Sequence, residues 1–455
     1  MKILSLSGIL GYGYSVEGLE KAFERDIDII GVDGGSSDPG PYFLGSGESF
    51  TNRTATKRDV ELVLPEAIKK QIPFIVGTAG GSGGEPHLSW AKEIVEEVAQ
   101  ENNLQFKMAV IHCEVDKEYL KGKLREGKVK VLGSKELHLT ESSIDETVRF
   151  VGQIEVDPFI KALDEGAEVI LAGRSCDTAI FAAPAIRAGY DPGLALHLAK
   201  IIECGAMCAK PMSASDVILG EIHKDYFTVE PTNPMRKCLV EGVAAHTLYE
   251  QANPYYIYEP DGMIDLRETE FIQLDDRTVK VSGSKFVEAK KPTIKIEGVK
   301  LAGYRTISIG GIREQLMINN LDSIIEQVRG QVSESLKGKI NSDDYELNFR
   351  KYGLNAVEGG TNVSDILPSE VGLIIDVVGK TQDIANNVCA NTRAKILHCD
   401  YAGRKTTAGN IAFPYSPSDI SIGPVYNFSA YHLVEVDDLM ETVSIEYVEV
   451  GGHND

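Results

Sequence analysis

An α/β fold is predicted for this chain: a predominantly parallel sheet with helices on both faces in the first two hundred residues, followed by a smaller α+β region. Two observations predict it. Short aliphatic runs recur at 27–32 (IDIIGV), 73–76 (PFIV), 107–111 (KMAVI) and 168–172 (EVILA). Runs that compact read as strands covered on both faces. Amphipathic stretches at 58–71, 88–102 and 158–165 fall between them, and strand, loop and helix repeating in this way build a parallel sheet.

The texture changes after about residue 211. Stretches 217–229, 278–287, 293–296 and 303–309 read as strands with polar alternation, interrupted by helical patterns at 243–250 and 313–336. A further strand (GLIIDVVG, 372–379) precedes a helical pattern at 382–397, and a last strand-like run covers 443–450. With 455 residues the chain exceeds one ordinary core. The expected domains are 1–210, 211–340 and 341–455.

Composition excludes several classes of function. Lys and Arg total 46 against 68 Asp and Glu, a formal net charge of -22. That field repels polyanions, and no dense basic run opposes it, so nucleic acid is not an expected partner. No apolar stretch approaches the ~20 residues that cross a bilayer, and the N-terminus has no signal-peptide pattern. The seven cysteines are scattered and odd in number, which argues against a disulfide framework and for a cytoplasmic location.

In a parallel sheet, ligands bind beyond the carboxyl ends of the strands. The loops expected there are rich in polar residues. IIGVD runs into Asp33, Gly34, Gly35, Ser36, Ser37 and Asp38; FIVGT runs into Gly80, Gly81, Ser82, Gly83, Gly84, Glu85 and His87. MAVI ends at His112, Cys113 and Glu114, and VILAG at Arg174, Ser175, Cys176 and Asp177. If these strands are parallel neighbours, one edge carries all four loops. The glycines of 79–84 serve tight turns or present amides to an anion, although no Walker or G-x-G-x-x-G register is present. The segment 8–13 (GILGYG) is a weaker candidate for that role.

Candidate catalytic groups are Asp33, His87, His112 and Glu114. Each also has a structural reading, as turn former, cap or satisfied histidine. Candidate substrate-binding groups are Ser36, Asp38, Gly80, Gly81, Ser82, Gly83, Arg174, Asp177 and Arg305. Arg174 stands out because a guanidinium in a site mouth grips a carboxylate bidentately, and its removal is expected to weaken ligand binding while sparing the fold. Arg305 lies in a glycine- and aromatic-containing stretch, Gly303 to Arg313, and with the loop 358–362 (EGGTN) it is a candidate to close over the mouth. Two histidines and two acidic groups would suit a metal of N/O preference, yet no helical H-E-x-x-H spacing supports one. Metal and cofactor stay open.

These residues carry a resemblance. The blocks at 33–50 (DGGSSDPGPYFLGSGESF), 77–87 (GTAGGSGGEPH), 151–182, 191–207, 244–250 and 303–313 are similar to the acyclic terpene utilisation AtuA family. The resemblance implies a catabolic role and a small carboxylate or acyl-thioester ligand, with no catalytic residues to carry over. The expected function is that of a lyase or hydratase on a small hydroxy acid or branched acyl thioester. Elimination of water needs a base, an acid and an anion clamp: Asp33 or His112, Glu114 or His87, and Arg174 with the glycine-rich amides. The alternative is a non-catalytic ligand-binding subunit whose partner does the chemistry. Self-association or a partner subunit fits either reading.

Overall fold

Among the described residues, seven strands precede residue 180: β1 (Lys2–Ile9), β2 (Ile29–Asp33), β3 (Phe74–Gly77), β4 (Phe106–His112), β5 (Val129–Val131), β6 (Arg149–Gly152) and β7 (Val169–Ala172). The structure is a computed structural model that describes residues 1–133, 137–357, 359, 368–407 and 410–451. β1, β2, β3, β7 and β4 lie side by side in that order, each parallel to the next. The four aliphatic runs read from the sequence are β2, β3, β4 and β7.

Among the described residues the full sheet has ten strands, and it is mixed rather than predominantly parallel. Ser444–Val450 runs antiparallel along β4. On the other side, Asp216–Ile222 runs antiparallel along β1, and Tyr226–Pro231, Val279–Ser282 and Glu270–Gln273 continue outward. Polar alternation suits this outer half, where hairpins replace crossover helices. The stretch after residue 210 is therefore joined to the first sheet by backbone hydrogen bonds.

Side chains alternate across the pleat and sort the core into two layers. Ile3, Ile29, Ile75, Ile111 and Ile170 belong to one layer, and Leu4, Ile30, Val76, Val110 and Leu171 to the other. Helices Arg53–Lys70 and Glu85–Glu101 pack into the second layer. Helices Val156–Asp164, Ala179–Arg187 and Pro192–Ile202 pack into the first. Pro192–Ile202 starts where the Asp191 side chain accepts the Leu194 amide at 3.1 Å, and it is buried from Gly193 onward. A charged residue on so apolar a helix needs a partner, and Lys200 has one.

The chain parts into two compact units, Met1–Lys300 with Phe428–Asp455, and Leu301–Asn427. They do not divide at 210 and 340, because the strands after 210 complete the first sheet and the long strand Thr293–Ile312 passes from one unit into the next. In the first unit its early residues pair with β6, Ile296 opposite Gly152. In the second unit its later residues pair with Val371–Gly379, which pairs in turn with Tyr345–Tyr352. Helices Leu321–Leu336 and Gln382–His398 bury their apolar faces in that unit's own core.

Candidate functional site

Because β2, β3, β4 and β7 are parallel neighbours, the loops that follow them leave one edge of the sheet, as expected. Beyond that edge the first unit holds a cavity of about 540 Å³. Ser36 and Asp38 line it from the loop after β2, and Arg174, Cys176, Asp177 and Thr178 from the loop after β7. Lys200, Glu203, Glu259, Gln153, Lys295 and Tyr431 complete the polar wall.

Three cations enter this wall from three elements, each backed by a carboxylate. Arg174 follows β7; its Nε lies 3.2 Å from Glu297, and its Nη1 donates to the Ser175 carbonyl at 2.9 Å. Lys295 comes from the long strand, with Nζ 3.0 Å from the same Glu297. Lys200 reaches Glu203 at 2.7 Å. Burial opposes the charge on Arg174, but Glu297 and Asp177 outweigh it and keep the guanidinium protonated. Burial alone would raise Glu297, yet Arg174 and Lys295 hold its carboxyl down at about 2. Arg174, Glu297 and Lys295 thus form a buried network of opposite charges.

The acids in and behind the cavity wall behave differently. Burial pushes Asp33 well above the usual carboxylate range and the Asp177 charge adds to this, with Arg174 opposing. Burial likewise raises Asp177, against the pull of Arg174. The Asp177 Oδ1 atom is buried without a hydrogen bond and lies 3.6 Å from Arg174 Nη1. Glu259 is pushed up to about 7 by burial and then by Asp261.

A backbone bridge sets a further group. The Ile154 amide donates to the Arg174 carbonyl at 2.8 Å and the Cys176 amide to the Ile154 carbonyl at 2.9 Å. This parallel pairing brings Glu155 beside Cys176, and the strand Tyr256–Glu259 delivers Glu259 to both. One ligating atom from each of the three lies within 4.8 Å of the other two.

The remaining predicted residues are placed as follows. Asp33 stands at the end of β2, with Oδ1 buried and without a hydrogen bond. His87 is fully buried; its Nδ1 accepts the Gly84 amide at 3.2 Å and its Nε2 lies 3.1 Å from the carbonyls of Phe43 and Glu48. His112 Nδ1 sits 2.9 Å from Glu85 and Nε2 3.7 Å from Glu446, and the Glu85 contact raises its pKa. Glu114 accepts from Arg149 Nε at 2.6 Å and from the Glu85 amide at 2.7 Å. None of these four lines the cavity. Arg305 lies in the second unit, 2.9 Å from Asp376. In the loop 358–362 only Gly359 is among the described residues.

The glycine-rich loop is buried, and its amides turn inward. Gly81 donates to Thr78, Gly83 to Ala79 and Gly84 to His87. Gly83 has φ +67°, and a Cβ there would stand 2.0 Å from the Arg174 amide nitrogen. Its glycines thus let the loop lie against the residues that begin the Arg174 turn. Gly83→Ala is expected to lower the unfolding free energy by about 2 kcal/mol, from backbone strain and the clash together, read by urea denaturation. An unchanged midpoint would mean the turn accommodates a side chain. The 8–13 loop does bind an anion, an internal one: the Gly11 and Gly13 amides both donate to Asp59 Oδ2 at 2.9 Å.

Sequence reading missed Glu155, Lys200, Glu203, Glu259, Lys295 and Glu297. They span more than a hundred residues and share no local motif. One signal was present: Lys200 and Glu203 are charges at i and i+3 around an otherwise apolar helix end.

Fold and cavity together define an α/β protein with a polar site at the carboxyl edge of its parallel strands. The family model described as "Acyclic terpene utilisation family protein AtuA" matches residues 51–416. The chain belongs to this family, and membership implies involvement in acyclic terpene utilisation. No curated protein and no solved structure matches the chain. Among the described residues, no helix is long and apolar enough to cross a membrane.

Proposed function

We propose that this protein is an enzyme of acyclic terpene breakdown, a lyase or hydratase that acts beside the carboxylate or thioester of a small branched acyl compound. One observation carries the reading: Arg174, Lys200 and Lys295 converge with Asp177 on a single cavity. Arg174 and Lys295, held by Glu297, face the substrate's carboxylate or thioester oxygen and stabilise the negative charge that develops there. Asp177, with an oxygen free of hydrogen bonds, takes the proton from the adjoining carbon. A hydroxyl departing from the next carbon takes a proton from the Lys200 ammonium, whose conjugate amine is a weaker base than hydroxide, and leaves as water. Addition of water runs the same steps backward.

Incubation in heavy water with branched 3-hydroxy acids and their thioesters, read by mass spectrometry, tests this. Deuterium is expected at the carbon next to the carbonyl, and Asp177→Asn is expected to slow its entry ~100-fold or more, the usual loss for a positioned base. Turnover of a true substrate without label at that carbon would reject the mechanism. Undiminished exchange in Asp177→Asn would reject the assignment of the base.

A further inference from the structure

We infer that Glu155, Cys176 and Glu259 form a binding site for one divalent transition-metal ion of the zinc type, with an open position toward the cavity. This goes beyond the reaction proposed above and does not depend on it, since metal affinity is measured without substrate.

The donor set is the first argument. Two carboxylates and a thiol place one ligating atom each within 4.8 Å of the others. A tetrahedral ion with bonds of about 2.0–2.3 Å needs ligand atoms about 3.3–3.8 Å apart, so closing on the ion takes a contraction of at most about 1.5 Å. One edge of the triangle is already there, with Cys176 Sγ 3.5 Å from Glu259 Oε2. Hard magnesium and calcium favour all-oxygen shells, whereas a mixed sulfur and oxygen set suits a borderline ion.

The second argument is charge. Glu155 is only 4% exposed, and its Oε1 accepts from the neutral Gln153 amide at 2.9 Å. Among the described residues, no lysine, arginine or histidine forms an ion pair with Glu155 or Glu259, whereas Arg174, Lys200 and Lys295 are all engaged by other carboxylates. A buried carboxylate without a counter-charge is costly. The position between the three ligating atoms is where a cation would offset it. Three protein ligands and a fourth position facing a cavity is also the arrangement of zinc sites that do chemistry. Binding the ion displaces the Cys176 thiol proton to the buffer and forms the metal–sulfur bond, with no change of oxidation state.

The test uses the full chain freed of metal with a chelator and titrated with Co²⁺ as a spectroscopic probe. One equivalent is expected to bind, with a thiolate-to-cobalt charge-transfer band in the near ultraviolet and visible bands of tetrahedral intensity. Cys176→Ser, nearly the same size, is expected to abolish the charge-transfer band. Glu155→Gln and Glu259→Gln are each expected to weaken binding at least ~10-fold, the lower end of effects seen at metal sites. Cys208 and Cys238, whose sulfurs lie 3.8 Å apart, offer the main competing thiols, so Cys208→Ser serves as the control and should keep the band. No band in the wild-type protein, or a band that survives Cys176→Ser and vanishes in Cys208→Ser, would overturn the inference. Circular dichroism on every variant confirms that the fold is retained, and where Cys176→Ser does not fold, the affinities of Glu155→Gln and Glu259→Gln decide the matter, unchanged binding in both overturning the inference.

Discussion

Arg174→Ala is expected to lower the unfolding free energy by about 3–5 kcal/mol, the cost of removing one partner from a buried ion pair. Arg174 is 6% exposed and Glu297 2%. Without the guanidinium, Glu297 keeps only Lys295, and the Ser175 carbonyl loses a charged donor. The sequence-based expectation of a ligand-binding defect in an intact fold therefore gives way to a defect in both. A double-mutant cycle separates the two parts. Pairing Arg174→Met with Glu297→Gln removes both charges, and should recover part of the lost stability, Lys295 then lacking its Glu297 partner, while leaving ligand binding impaired. Chemical denaturation reads the first, calorimetry with a branched carboxylate the second. If Arg174→Ala alone unfolds at the wild-type midpoint, the pair with Glu297 is not a structural support.

Mild acid is expected to weaken this fold through two buried histidines. Burial lowers His87 to about 4 and His197 to about 3 from an ordinary value of 6.5. His197 spends both nitrogens on hydroxyls, Ser284 at 2.6 Å and Thr247 at 3.1 Å. The native state excludes a proton that the unfolded chain accepts, so stability is lost as pH falls below 6.5 and the loss ends only near the folded values. From about pH 7 to about pH 5, each histidine contributes a loss of about 2 kcal/mol. The raised carboxyls of the cavity act in the opposite sense, taking up protons in the native state. The readout is therefore a difference: His87→Asn and His197→Asn should each lose about 2 kcal/mol less than wild type over that interval. Parallel losses in wild type and variants would show that these rings titrate normally.

The parallel half of the sheet was legible because strands covered on both faces must be aliphatic throughout, as IIGVD and VILA are. The antiparallel half was not, since alternating strands such as Asp216–Ile222 carry no record of which edge they join. Stretch 278–287 reads as one strand, but Gly283 turns it, and its halves enter different sheets. Of the site, Arg174, Asp177, Ser36 and Asp38 were legible because they follow strand ends in sequence. Glu259 and Lys295 reach the cavity, and Glu155 reaches Cys176 at its wall, only through tertiary pairing, a bridge at Ile154 and strands that start beyond residue 250. His87 and His112 misled because spacing along a strand or helix start says nothing about which local acceptors will claim a ring nitrogen.

Strand Ser444–Val450 has a consequence for synthesis. It supplies the outer neighbour of β4, from Ser444 opposite His112 to Val450 opposite Phe106. More than three hundred residues are made between the two partners, so the emerging chain carries β4 with bare amides and carbonyls along its length for most of translation. An unpaired edge of that kind invites pairing with another chain. Ribosomes arrested before residue 444 should hold a nascent product that clumps or recruits a holdase, and release of the last strand should end that dependence. The tail is thus the lock on a sheet whose first strand is laid down at residue 2.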